Sequence, residues 1–222
     1  MPGRERQLAR AIESLRPQVD RIALYWNGPE LQEPDVPVHE VVVAPGNERG
    51  SGGKLAWADH WDGLYLSCDD DLAYPADYVA TMRGWVEQWG GQALVTAHGR
   101  IMPPQGIRFQ QAKPAGHCLQ DVPAGQWINY PGPGVMAFDT SLNVPADLPG
   151  QNVEDAELAI WAQQHEVPIW LVPHTAGWLT YLQPQGYTIW EDEARHGFTK
   201  RNAVIRGHTE WAVHKPRAGV IA

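Results

Sequence analysis

The residues best suited to chemistry in this 222-residue chain stand in the stretch LYLSCDDDLAYPADYV, residues 64–79. An apolar run from Gly63 to Cys68 ends in three consecutive carboxylates, Asp69, Asp70 and Asp71. Ligands of α/β sheets bind beyond the carboxyl ends of the strands, so acids at such an end point toward the expected crevice. Three adjacent acids repel one another, and a divalent cation is the usual remedy; Mg²⁺ and Mn²⁺ prefer carboxylate and diphosphate oxygens. An acidic triplet alone reads as a solvated turn capping a helix. Placed between an apolar strand and a helix opened by Pro75, it reads as a metal site.

A second pair of acids, Glu154-Asp155, starts a segment of helical periodicity from Val153 to His165. Carboxylates are favoured at helix N-termini, and Asn152 ahead of them is a capping residue type, so capping accounts for the pair without any chemistry. Lys54 closes a glycine-rich loop, NERGSGGK, which lacks the spacing of a phosphate-binding P-loop and suits a surface lysine equally well. In the C-terminal part His174, His196 and His208 are candidate metal or diphosphate ligands. His196, in ARHGFTKR with Arg195, Lys200 and Arg201, stands in the segment best suited to fold over phosphates.

The elements that must position these groups follow from periodicity. A helix is predicted over 3–16, with Leu8, Ala11, Ile12 and Leu15 on one face and Pro17 closing it. Short β-type runs span 21–26 and 38–43, the first ended by Asn27-Gly28-Pro29 and both read as buried parallel strands; a helical stretch is expected near 55–60. The strand at 63–68 leads to a helix from Pro75 to about Trp89, then a strand at 93–97. Residues 99–133 dissolve into Gly, Pro and Gln with isolated aromatics and read as a functional loop. Strands at 135–138 and 169–172 flank the helix at 153–165, and a polar helical tail runs from Trp190 to about Arg206. This alternation predicts an α/β fold: one Rossmann-like domain over 1–222, with a mostly parallel central sheet and helices on both faces. The first helix begins close to Met1, so either the gene starts further upstream or the sheet lacks the strand that normally feeds this helix.

Composition sets limits on function. Hydrophobic residues make up 43% and charged residues 19%, which is globular rather than disordered composition. A net charge of -9 argues against a surface built to neutralise many phosphates. Two cysteines provide no disulfide framework, no leader is visible in MPGRERQLAR, and no run approaches the ~18 apolar residues of a membrane span. The expectation is a cytoplasmic protein without a membrane span. Eleven tryptophans are many for this length; indoles serve as platforms for sugars and bases as well as core filler.

Several segments, in shared order, resemble family 2 glycosyltransferases of the GT-A fold. DDD…YPADYV is similar to their DxD region, and RERQLARAIESLRPQVDRIALYWNG to their first helix and second strand. NERGSGGKLAWAD resembles their G…GK segment, NYPGPGVMAFDTS the acceptor-side strand, and NVEDAELAIWAQQHEVPIWLVPHTAGWL the helix bearing the catalytic acid. The likeness runs from Arg4 to about Leu179. It implies a donor and metal half over 1–98 and an acceptor half over 99–222. It implies Asp71 and Asp69 as metal ligands with His196 as a third, and Lys54, Asp69, Asp70 and Arg195 beside a nucleotide-diphosphate sugar, a UDP-sugar by family habit. Asp155 becomes the general base for the acceptor hydroxyl, with Glu154 as fallback, in an inverting transfer. Trp127, Tyr130, Gly132 and Gly134 would border the acceptor, whether glycan, small molecule, protein or modified nucleic-acid base. A nucleotidyltransferase and a non-catalytic nucleotide- or carbohydrate-binding protein are the alternatives.

Overall fold

The computed structural model describes residues 4–27, 36–183 and 188–216. In chain order the elements are α1 (Glu5–Leu15), β1 (Ala23–Asn27), β2 (Glu40–Ala44), a 3₁₀ turn (Gly50–Leu55), β3 (Leu64–Cys68), β4 (Leu72–Ala73), α2 (Tyr78–Gln88), β5 (Leu94–Thr96), β6 (Gly99–Ile101), β7 (Lys113–Gly116), β8 (Gln126–Ile128), β9 (Tyr130–Pro131), β10 (Val135–Asp139), α3 (Glu154–Gln164), β11 (Ile169–Leu171), β12 (Thr180–Tyr181), α4 (Ile189–Arg195) and α5 (Thr199–Ile205). The chain is mixed α/β.

The central sheet has the order β3-β10-β5-β11-β8. β5 and β11 are its one parallel pair of neighbours; β10 is antiparallel to both β3 and β5, and β8 is antiparallel to β11. The sheet is therefore mixed, not mostly parallel. Parallel neighbours need a long crossover, usually helical. Between β5 and β10 the chain has no α-helix among the described residues; it returns through short strands, so β10 enters in reverse, with Val135 opposite Cys68 and Asp139 opposite Leu64. The segment 99–133 is accordingly not a structureless loop. It forms the antiparallel set β7-β6-β9 and contributes β8 to the sheet edge.

β1 and β2 do pair in parallel, but as a separate two-stranded ribbon, and only Trp26 and Ala44 in them are buried. The turn at Gly28-Pro29 and residue 3, the first of the helix predicted over 3–16, lie outside the described residues. The helical stretch expected near 55–60 is instead the 3₁₀ turn at 50–55, and the tail divides into α4 and α5 at Gly197-Phe198, both at positive φ.

Alternation along the strands separates two cores. Val95, Val135 and Ala137 pack with α2 through Val79, Met82 and Val86, and with Ala11 and Leu15 of α1. Leu94, Met136 and Phe138 face the other side, against Leu158 and Ala162 of α3. Helices thus cover both faces, with α1 buried on the four positions its periodicity marks, Leu8, Ala11, Ile12 and Leu15. Among the described residues no helix is long and apolar enough to cross a membrane.

Candidate functional site

The carboxyl end of β3 opens on a cavity of about 1250 Å³ lined by Lys54, Asp69, Asp70, Asp71, Glu154, Asp155 and Arg201, among others. Its floor is fixed by backbone. The Asp69 N–H donates to the Gly134 carbonyl at 3.0 Å and to the Tyr74 hydroxyl at 2.8 Å, and that hydroxyl donates to the Gly134 carbonyl at 3.1 Å. The end of β3 is so tied to the start of β10. A Cβ on Gly134 would overlap the Asp69 carboxylate, so glycine is required there for the acid to lie flat against the neighbouring strand.

Three acids converge here with two cations. The Arg4 guanidinium, at the N-terminal cap of α1, reaches Asp70 at 2.9 Å and Asp71 at 2.7 Å. Lys54 donates to Asp69 and lies 3.4 Å from Glu154. Burial works against the Lys54 ammonium, but Asp69 and Glu154 outweigh it and hold the proton more firmly than usual. Asp71 is pushed up to about 6 by burial and by the Asp69 charge, against the pull of Arg4. Burial likewise raises Asp70. The repulsion within the triplet is thus relieved in part by Arg4 and Lys54. Four carboxylates, counting Glu154, still face two cations, leaving two negative charges at this end.

Across the cavity, α3 begins at Glu154 with Val153 as its cap. Asn152 does not cap it; at φ 64° its side chain turns away and accepts the Ser51 N–H at 2.9 Å, while the Ser51 hydroxyl donates to Glu154. The 3₁₀ turn bearing Lys54 is thereby fastened to the helix bearing the second acid pair. Both oxygens of Asp155 accept from Arg201 Nε, at 3.0 and 2.9 Å, and Arg201 also lies 3.5 Å from Glu193. Burial opposes the guanidinium charge, yet Asp155 raises its proton affinity overall. Tyr130, fully buried, has its hydroxyl pushed well up by burial and then by the Asp155 charge. Arg100 lies over Phe109 at 4.8 Å and Trp190 at 5.3 Å on this wall.

Of the residues singled out from the sequence, Lys54, Asp69, Asp70, Asp71, Tyr130, Gly132, Gly134, Glu154 and Asp155 line the one cavity. Five others do not. Trp127 is on β8 at the sheet edge, packed against Trp89 at 4.6 Å and Trp170 at 4.8 Å; hydrophobic stacking claims its indole. His196 ends α4, exposed, with Nδ1 against the Asp192 carbonyl at 2.8 Å, and the exposed Arg195 precedes it; the left-handed turn at Gly197-Phe198 leaves both outside the cavity lining. The His174 and His208 rings bond backbone carbonyls, those of Val172 and His117 for His174 and that of Glu210 for His208, and both also lie outside the lining. Arg201 pairs with Asp155 and Glu193. Arg4, Ser51, His98 and Arg100 were not legible as site residues, since no local spacing distinguishes them from surface or core positions.

The donor set at the acidic end is all carboxylate oxygen, which fits a hard divalent cation such as Mn²⁺ or Mg²⁺, and the two uncompensated charges match one such ion. No protein-family model matches the chain, and no curated protein matches it significantly in sequence.

Proposed function

We propose that this chain is a metal-dependent, inverting glycosyltransferase of the GT-A type, transferring a sugar from a nucleotide-diphosphate donor to an acceptor hydroxyl. One observation carries the reading: Asp69–Asp71, with net negative charge, and Asp155, on a separate helix, line the same cavity. Asp69, Asp70 and Asp71 would hold Mn²⁺ or Mg²⁺. The bound ion would supply Lewis-acid stabilisation of the departing nucleoside diphosphate. Lys54, kept protonated between Asp69 and Glu154, adds positive charge beside the same phosphates. Asp155, oriented through both oxygens by Arg201, takes the acceptor hydroxyl proton as that oxygen bonds to the anomeric carbon and the sugar–phosphate bond breaks, inverting configuration. Tyr130, Gly132 and Gly134 border the acceptor, with glycine permitting close approach of backbone. A uridine donor is favoured by the resemblance alone, and the acceptor class stays open among glycans, small molecules, proteins and modified bases.

Calorimetric titration with a panel of nucleoside diphosphates and their sugars, with and without Mn²⁺, tests the reading alongside donor hydrolysis. Mn²⁺-dependent binding with release of nucleoside diphosphate, lost in Asp71→Asn, is the expected result. Release of pyrophosphate would instead mark a nucleotidyltransferase, and metal-independent sugar binding without turnover a carbohydrate-binding protein.

A further inference from the structure

A second set of ligand-type side chains lines the same cavity. His98 follows β5, and His117 and Cys118 follow β7; one ligand atom from each lies within 4.8 Å of the other two, and the His98 and His117 rings meet edge to face at 4.7 Å. Two imidazoles and a thiol are nitrogen and sulfur donors, a different chemistry from the carboxylates of the triplet.

We propose that His98, His117 and Cys118 form a zinc site, with the fourth position open to the cavity. The backbone that carries them is rigid. The His98 N–H donates to Thr96 Oγ1 at 3.2 Å, its carbonyl accepts from Thr96 Oγ1 at 2.9 Å and from the Gly132 N–H at 2.7 Å, and a Cβ on Gly132 would overlap the His98 ring. Across the strands, the His117 carbonyl closes a turn with the Gln120 N–H at 2.9 Å, placing Cys118 in a buried position. Among the described residues no hydrogen bond reaches the ring nitrogens of His98, which is half-buried, and burial, followed by the His117 charge, lowers its pKa to about 3. It is a neutral imidazole with a lone pair directed at no partner. His117 Nδ1 accepts only a long bond from the Leu119 N–H, at 3.2 Å, which ligation gives up because a neutral imidazole has a single lone pair. Zinc–nitrogen bonds of about 2.1 Å and a zinc–sulfur bond of about 2.3 Å require ligand atoms about 3.5 Å apart, a contraction within reach of small side-chain rotations. The Cys118 thiol, pushed up to about 12 by burial, loses its proton to solvent as the metal–sulfur bond forms. All three residues line the cavity, which makes the site open rather than closed and structural.

Cobalt(II) is the probe, because a thiolate ligand gives a near-ultraviolet charge-transfer band that an all-oxygen site cannot. Titration of the full chain with Co²⁺ should produce that band together with visible d–d bands, Zn²⁺ should bleach both, and affinity should rise with pH as the thiol proton is released. Cys118→Ser should abolish the charge-transfer band, and His98→Ala and His117→Ala should each weaken Co²⁺ binding on the order of tenfold or more. His117 is exposed, so its replacement tests the site without disturbing the fold. Cys68→Ser and Asp71→Asn should leave the band intact, which keeps this result independent of the glycosyltransferase reading. Absence of a thiolate band in the parent chain, its survival in Cys118→Ser, or its loss in Cys68→Ser or Asp71→Asn would overturn the proposal.

Discussion

The two ends of the cavity handle carboxylates differently. At the α3 end each acid of the pair Asp155 and Glu193 shares one guanidinium, and Arg201 Nε contacts both Asp155 oxygens. At the β3 end four carboxylates share Arg4 and Lys54, and Asp71 is raised to about 6 by burial and the neighbouring Asp69 charge. The first arrangement orients one acid; the second stores negative charge. Orientation suits a proton acceptor and unbalanced charge suits a cation, and the proposed function gives acids of the same type different work on that ground.

The largest effect should come from the oriented acid. Asp155→Asn is expected to lower transfer by about 10²–10⁴-fold, the range for a general base, while donor affinity measured calorimetrically stays within a few-fold of the parent. Near-normal transfer would erase the distinction between the two ends. Next, Arg201→Met should cost about 3 kcal/mol in urea unfolding, because it leaves Asp155 and Glu193 buried without their cation. Adding Glu193→Gln should recover part of the loss.

At the charged end the effects are smaller. Gly134→Ala should destabilise by about 2 kcal/mol and weaken Mn²⁺ binding, since the new methyl displaces the Asp69 carboxylate; calorimetry with Mn²⁺ reads the second effect. Asp71→Asn should stabilise the protein by about 1 kcal/mol at pH 7. The sign follows from the raised value. The folded chain binds the Asp71 proton more tightly than the unfolded chain, so stability falls as pH rises from about 4, the ordinary carboxylate value, to about 6, and the deficit persists above it. Thermal melts should therefore show the variant ahead at pH 7 and level with the parent below about pH 4. Added Mn²⁺ should narrow the gap at pH 7 by stabilising the parent alone.

Most helices and strands were legible because their signals are local. The spacing of Leu8, Ala11, Ile12 and Leu15 predicts α1, and the apolar run before Asp69 predicts β3 and an acidic strand end. The direction of β10 was not legible, since five residues of strand pattern carry no sign of which way they run; the crossover before them decides it. The short strands β6, β7 and β9 were hidden because each contains Gly or Pro, which have weak strand propensity, and β8 because it is only three residues long; all gain order by pairing. Tyr130 and Trp127 illustrate the same limit within three positions. Both were aromatic candidates, but one faces the cavity and the other an indole stack.

The sequence alone determined which acids are candidates and that a strand end and a helix start present them, because those features depend on neighbours in the chain. Only the tertiary structure decided that Arg4 stands over Asp70 and Asp71, that Arg201 holds Asp155, and that His98 meets His117 and Cys118. Those pairings join residues far apart in the chain, and charge and metal chemistry act through space at a few ångströms, where sequence separation carries no information.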